Sequence, residues 1–136
     1  MGIITSGDVF TRKREDKFKT QLVSVPEWGG DLYVRMLSGK EMDAFEAVSV
    51  GRKDQSPEDR FHNLRARFVA LVACNEDGSP IFSQLAAEVE LLGDEPAYIL
   101  ERVYEAGQKI NGRGKDAAEN LRKNSLSGPS AADGSN

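Results

Sequence analysis

The stretch Val23-Ser24-Val25-Pro26-Glu27-Trp28-Gly29-Gly30-Asp31-Leu32-Tyr33-Val34-Arg35 decides the fold. Before its break, Lys19, Gln21, Val23 and Val25 alternate with Thr20, Leu22 and Ser24. After it, Leu32, Val34 and Met36 alternate with Tyr33, Arg35 and Leu37. A two-residue period is that of a strand with one face buried. Pro26 fixes one backbone angle, and Gly29 and Gly30 accept positive φ without steric cost, so Pro26–Gly30 predicts a turn. The expectation is a β-hairpin over 18–37.

Beyond the hairpin the period changes. Ser38-Gly39-Lys40-Glu41 spells a capping box, in which the Ser hydroxyl takes an orphan amide and the Glu reaches back to the cap. It predicts a helix to about Val50, with Met42, Ala44, Phe45 and Val48 on its apolar face. Ser56-Pro57-Glu58-Asp59 predicts the next helix start, because Ser caps, Pro suits the first turn and acids suit the positive helix end. Phe61, Leu64, Phe68, Leu71 and Val72 carry the clearest helical period, and this helix is expected to run to the turn Asn75-Glu76-Asp77-Gly78. Pro80–Phe82 reads as extended and Leu85–Leu92 as a short helix stopped by Gly93. Glu95-Pro96 opens another helix with Leu100, Val103, Tyr104, Gly107 and Ile110 on one face, closed by Asn111-Gly112. Residues 115–123 fit a last, polar helix.

The fold class expected is α+β, predominantly helical with an N-terminal β-hairpin. Residues 1–17 read as a flexible arm or frayed short helix, since Arg12–Lys17 has no apolar face. Residues 18–124 read as one globular domain. Residues 125–136, rich in Ser, Gly and Ala, cannot bury enough surface to order and read as a disordered tail.

The whole chain has 136 residues, 39% of them hydrophobic, which excludes a fully disordered protein and fits one domain. A single Cys excludes an internal disulfide and multi-Cys zinc sites, and a single His excludes sites needing several imidazoles. The net charge of -4 argues against nucleic acid as a partner. No apolar run is long enough to cross a bilayer, and Met1–Thr20 has no signal-peptide core. The expectation is a soluble intracellular protein without cofactor, metal, nucleic-acid partner or membrane contact.

Candidate chemistry is thin. His62 and Cys74 read as lying on one helix, twelve residues apart, hence roughly 18 Å along its axis and too far to form a dyad. His62 reads as a surface residue and Cys74 as a small buried hydrophobe. Asn75–Gly78 lacks the ligands of a calcium loop, with Ala73 and Gln84 at the two end positions. Gly112-Arg113-Gly114-Lys115 lacks the spacing of a phosphate loop. Glu88, Glu90, Asp94 and Glu95 read as solvated acids beside a helix end, and Arg60, Arg65 and Arg67 as a solvated basic face. Trp28 stands out as the only Trp, at a hairpin tip. It has two readings: a lid on the core, or an anchor for a protein partner.

Several segments together resemble the tail assembly chaperones of long-tailed bacteriophages: Val23–Arg35, Leu37–Glu46, Arg65–Val72, Asn75–Gly78, and Arg102–Ala106 leading to Ile110-Asn111-Gly112. The resemblance spans about Val23–Asn124. It implies a non-enzymatic protein of the host bacterial cytoplasm, absent from the mature virion, that binds the tape measure protein and recruits the tail tube protein, with self-association along the way. It also implies that a longer form can be made by ribosomal frameshifting, and Arg122-Lys123-Asn124 is a tripeptide that a slippery heptamer can encode. A structural head–tail joining or tail completion subunit of the virion is the competing reading.

Overall fold

The computed structural model describes residues 2–50, 63–84 and 86–113. Within them the hairpin forms as its alternation dictates. Strand β1 (Thr20–Val25) pairs antiparallel with β2 (Gly30–Arg35), Val23 facing Leu32 and Val25 facing Gly30. Val23, Val25, Leu32 and Val34 are buried, while Leu22 on the other face is half-exposed. Two short helices precede the hairpin, α1 (Ser6–Phe10) and α2 (Arg14–Lys17), and neither buries a residue.

Helix α3 (Gly39–Val50) starts at the expected capping box: the Glu41 amide donates to Ser38 Oγ at 3.1 Å, and the Ser38 amide donates to Glu41 Oε1 at 3.0 Å. Its apolar face is only partly covered, since Phe45 packs on the core whereas Val48 is exposed. Then come α4 (Leu64–Val72), β3 (Ala73–Cys74), α5 (Ala86–Gly93) and α6 (Ala97–Ile110).

Two expectations are corrected here. The helix expected from Ser56 to the Asn75 turn starts, among the described residues, only at Leu64, because Asn63 before it takes the left-handed conformation at φ 54°, a region Asn tolerates better than most residues. Ser56–His62 lie outside the described residues. At its other end the helix stops at Val72, and Ala73-Cys74 becomes an unforeseen third strand, Cys74 facing Tyr33 and Ala73 facing Val34. Both are fully buried. The chain then turns through Asn75–Ser79, and Pro80 bridges back to Cys74. An apolar run such as Phe68–Cys74 fits a helix or a buried strand equally well, so pairing with β2 settles the outcome.

The sheet order is β1-β2-β3, and α4 and α6 pack together against it. Phe68 sits at the centre, fully buried, with Phe45 and Tyr104 edge-on at centroid distances of 5.2 and 5.3 Å. Gly107 lets α6 approach: a Cβ there would lie 2.9 Å from both Phe68 Cε2 and Val72 Cγ2. Helix α6 ends in a Schellman pattern, with the Gly112 amide donating to Lys109 O and the Arg113 amide to Gln108 O. Gly112 takes the left-handed position at φ 75° and Asn111 does not. Asn111 is used otherwise. Its Oδ1 accepts from the Leu37 amide at 2.7 Å, and its Nδ2 donates to Arg35 O at 3.1 Å, tying the end of β2 to the end of α6. The expected helix over 115–123 and the tail lie outside the described residues.

Candidate functional site

The hairpin turn builds the most distinctive surface. Pro26–Trp28 forms one turn of 3₁₀ helix, and Gly29, at φ 91°, closes it by donating to Pro26 O. That geometry swings Trp28 off the end of the hairpin. Its indole Nε1 donates to Glu95 Oε1 at 2.8 Å, and its ring meets Phe82 edge-on at 6.0 Å. Trp28 is half-buried, packed against the core on one side only. Beside it, Glu27 takes a two-pronged ion pair from Arg102 on α6, at 2.6 and 2.8 Å. The Arg102 guanidinium holds the Glu27 carboxyl down to about 2.

Between this turn, the Pro80–Phe82 segment and α5 lies an open groove of about 670 Å³. Its floor is Val25, Leu32 and Leu92, with Trp28 and Phe82 forming one wall. Leu91 and Ile81 line it while standing exposed. Asp31, Glu88 and Glu95 supply its charge, and among the described residues no Lys, Arg or His lines it. Two of these carboxylates act as structural acceptors, Glu95 from Trp28 and Glu88 from the Ser83 amide at 2.7 Å. An open groove with apolar walls and one anchored Trp has the shape that accepts a polypeptide segment.

The other candidates that lie among the described residues make structural contacts. Cys74 is buried and lies on β3 rather than on a helix, and burial pushes its thiol pKa up, away from reactivity. His62 and Arg60 lie outside the described residues. In the Asn75–Gly78 turn, Asp77 Oδ1 accepts from the amide and hydroxyl of Ser79, and Gly78 sits at φ 90°. Among the described residues no group of three His, Cys, Asp or Glu side chains could hold a metal ion. The four acids of the α5 region do not converge: Glu90 accepts from Asn63 Nδ2 on the far side from the Trp28 contact of Glu95. The expectation that Glu95 is merely solvated is therefore corrected. Arg65 pairs with Glu101 and lies over the Tyr104 ring. Gly112 belongs to a helix end, and residues 114–115 lie outside the described region.

Sequence reasoning singled out Trp28 but missed its companions Phe82, Leu91 and Glu95. The signal available was that Leu91 lies off the three-residue spacing that Val89 and Leu92 share. Among the described residues no helix is long and apolar enough to cross a membrane.

No protein-family model matches the chain, and no curated protein matches it by sequence. A solved structure does match in three dimensions: that of the bacteriophage HK97 tail assembly chaperone, with a TM-score of 0.51 and 23% sequence identity, covering 73% of this chain and 92% of that one. At that identity the likeness is one of architecture, and this chain shares the α+β fold of that phage chaperone.

Proposed function

We propose that this protein is a non-enzymatic tail assembly chaperone of a long-tailed bacteriophage. It works in the host cytoplasm, binds the tape measure protein and promotes tail tube assembly around it. The observation that carries this reading is the fold likeness to the HK97 chaperone, which takes in nearly all of that chain. It is supported independently by the resemblance of residue segments over Val23–Asn124. The Trp28 groove adds a physical reason: an open apolar trough accepts an amphipathic segment through anchors spaced three and four residues apart. Trp28 is the residue we assign to partner contact. A longer product made by frameshifting near Lys123-Asn124 belongs to the same proposal.

Particle composition tests the reading against a head–tail joining or tail completion subunit. Disrupting the gene in its phage is expected to abolish tails. Mass spectrometry is expected to find the protein in infected-cell lysate and not in purified virions. Stoichiometric protein in washed virions would overturn the chaperone reading in favour of the structural one.

A further inference from the structure

The two edges of the sheet are finished differently. At the β3 edge the chain covers its own backbone. Pro80 bridges to Cys74, the Ile81 amide donates to Ala73 O at 3.2 Å, and the Asn75 amide donates to Ser79 O at 2.8 Å. At β1 the backbone is left bare. Antiparallel partners alternate between pairs that exchange hydrogen bonds and pairs that do not. The register that sets Thr20 opposite Arg35 sets Lys19 opposite Met36. There the Met36 amide donates to Lys19 O at 3.1 Å, and the Lys19 amide turns the same way, meeting the Met36 sulfur at 3.2 Å. Lys19, Gln21, Val23 and Val25 therefore direct their amides and carbonyls at the partner strand. Thr20, Leu22 and Ser24 direct theirs away from it. Among the described residues, none of these outward amides and carbonyls has a hydrogen-bond partner.

Exposed edges are ordinarily blunted by a charge, a proline, a bulge or mere shortness. Strand β1 has none of these. Thr20-Gln21-Leu22-Val23-Ser24-Val25 is uncharged and free of proline, pairs in unbroken register and is six residues long. Leu22 stands 53% exposed on its open face. A row of alternating donors and acceptors fits one kind of ligand, an extended backbone, because a helix keeps its own amides and carbonyls bonded inside itself.

We propose that the free edge of β1 takes an extended segment of another protein as a fourth strand of the sheet. Main-chain bonds to Thr20, Leu22 and Ser24 hold it. Its paired residues are uncharged, because a charge set beside Leu22 or next to Val23 would lose water without gaining a partner. A second copy of the chain is the less favourable occupant, since each copy carries a net charge of -4 and like charges repel. The edge is a surface apart from the Trp28 groove, which takes only Val25 from β1. Mutation can therefore separate the two.

Amide hydrogen exchange on the full-length chain tests it, first alone and then with overlapping synthetic peptides that tile the proteins encoded beside its gene. Alone, the amides of Thr20, Leu22 and Ser24 are expected to exchange freely at every protein concentration, while those of Gln21, Val23 and Val25 are protected. At least one peptide is expected to bind and to protect the three outward amides. Leu22→Pro removes an outward amide and no bond to β2, at a place where an edge strand accepts proline. It is expected to weaken that peptide about tenfold or more, with circular dichroism and Trp28 emission unchanged. Leu22→Lys, which keeps the whole backbone, is expected to weaken it as well, and it decides the point if the proline variant fails to fold. Leu91→Asp, in the groove, is expected to leave the peptide's affinity as it was. Protection of the three amides in the chain alone, by its own residues or by a second copy as concentration rises, would overturn the proposal. So would the failure of every peptide to protect them, or a peptide that binds both Leu22 variants as tightly as the unaltered chain. These results are read independently of particle composition, which decides the chaperone reading.

Discussion

Phe68 and Trp28 are both flanked by aromatic rings, and the chain treats their surroundings in opposite ways. Around Phe68 the elements close: Phe45 and Tyr104 approach edge-on, Gly107 removes a side chain so that α6 can come near, and nothing of Phe68 stays exposed. Around Trp28 they stay apart. Phe82 and Glu95 fix the ring on one side, while Leu91 and Ile81 face solvent across an open groove. The difference teaches that apolar area alone does not tell core from interface. What does is whether neighbouring elements are shaped to meet over it.

If that contrast is right, mutations in the two regions must separate stability from binding. The largest expected effect is Phe68→Ala, which should destabilise folding by about 3–5 kcal/mol, a large share of the roughly 5–15 kcal/mol typical of a domain. Urea unfolding measures it, and a loss below about 1 kcal/mol would deny Phe68 its central place. Gly107→Ala comes next. Its new methyl would push into Phe68 and Val72, and overpacking of this kind costs about 1–3 kcal/mol. An unchanged midpoint would mean that α4 and α6 separate easily.

Leu91→Asp should move stability by no more than about 0.5 kcal/mol, because the side chain it replaces is exposed. Under the proposed function its effect is expected on partner binding instead. A large loss of stability would place Leu91 in the core and erase the contrast.

The smallest effect concerns the turn that frames the groove. The folded pKa of Glu27, about 2, lies below its ordinary 4.5. The contribution of its pair with Arg102 is therefore in place above about pH 4.5 and fades as pH falls towards 2. An acid titration followed by Trp28 emission should show this step, and Glu27→Gln should remove it while leaving the neutral-pH spectrum unchanged.

The parts legible in the sequence were those encoded locally. The hairpin followed from alternation around Pro26–Gly30, and the start of α3 from Ser38 and Glu41. The third strand was not legible, because Ala73 and Cys74 prefer nothing by themselves and are held by β2, some forty residues earlier. Asn111 read as a helix stop, but its amide holds Leu37 and Arg35, 74 and 76 residues away. The site divides the same way. Trp28 announces itself as a lone Trp beside two glycines, whereas the groove needs Phe82, Leu91 and Glu95 from later elements, and no local pattern links them to the turn.

The proposed chaperone role is most directly tested by co-expressing the 136-residue chain with a tape measure protein encoded beside its gene, and measuring how much tape measure protein stays soluble and co-purifies. The account predicts that it is insoluble alone, soluble and bound in the presence of the chain, and recovered poorly when the chain carries Leu91→Asp. Tape measure protein that is equally insoluble with and without the chain would contradict the account.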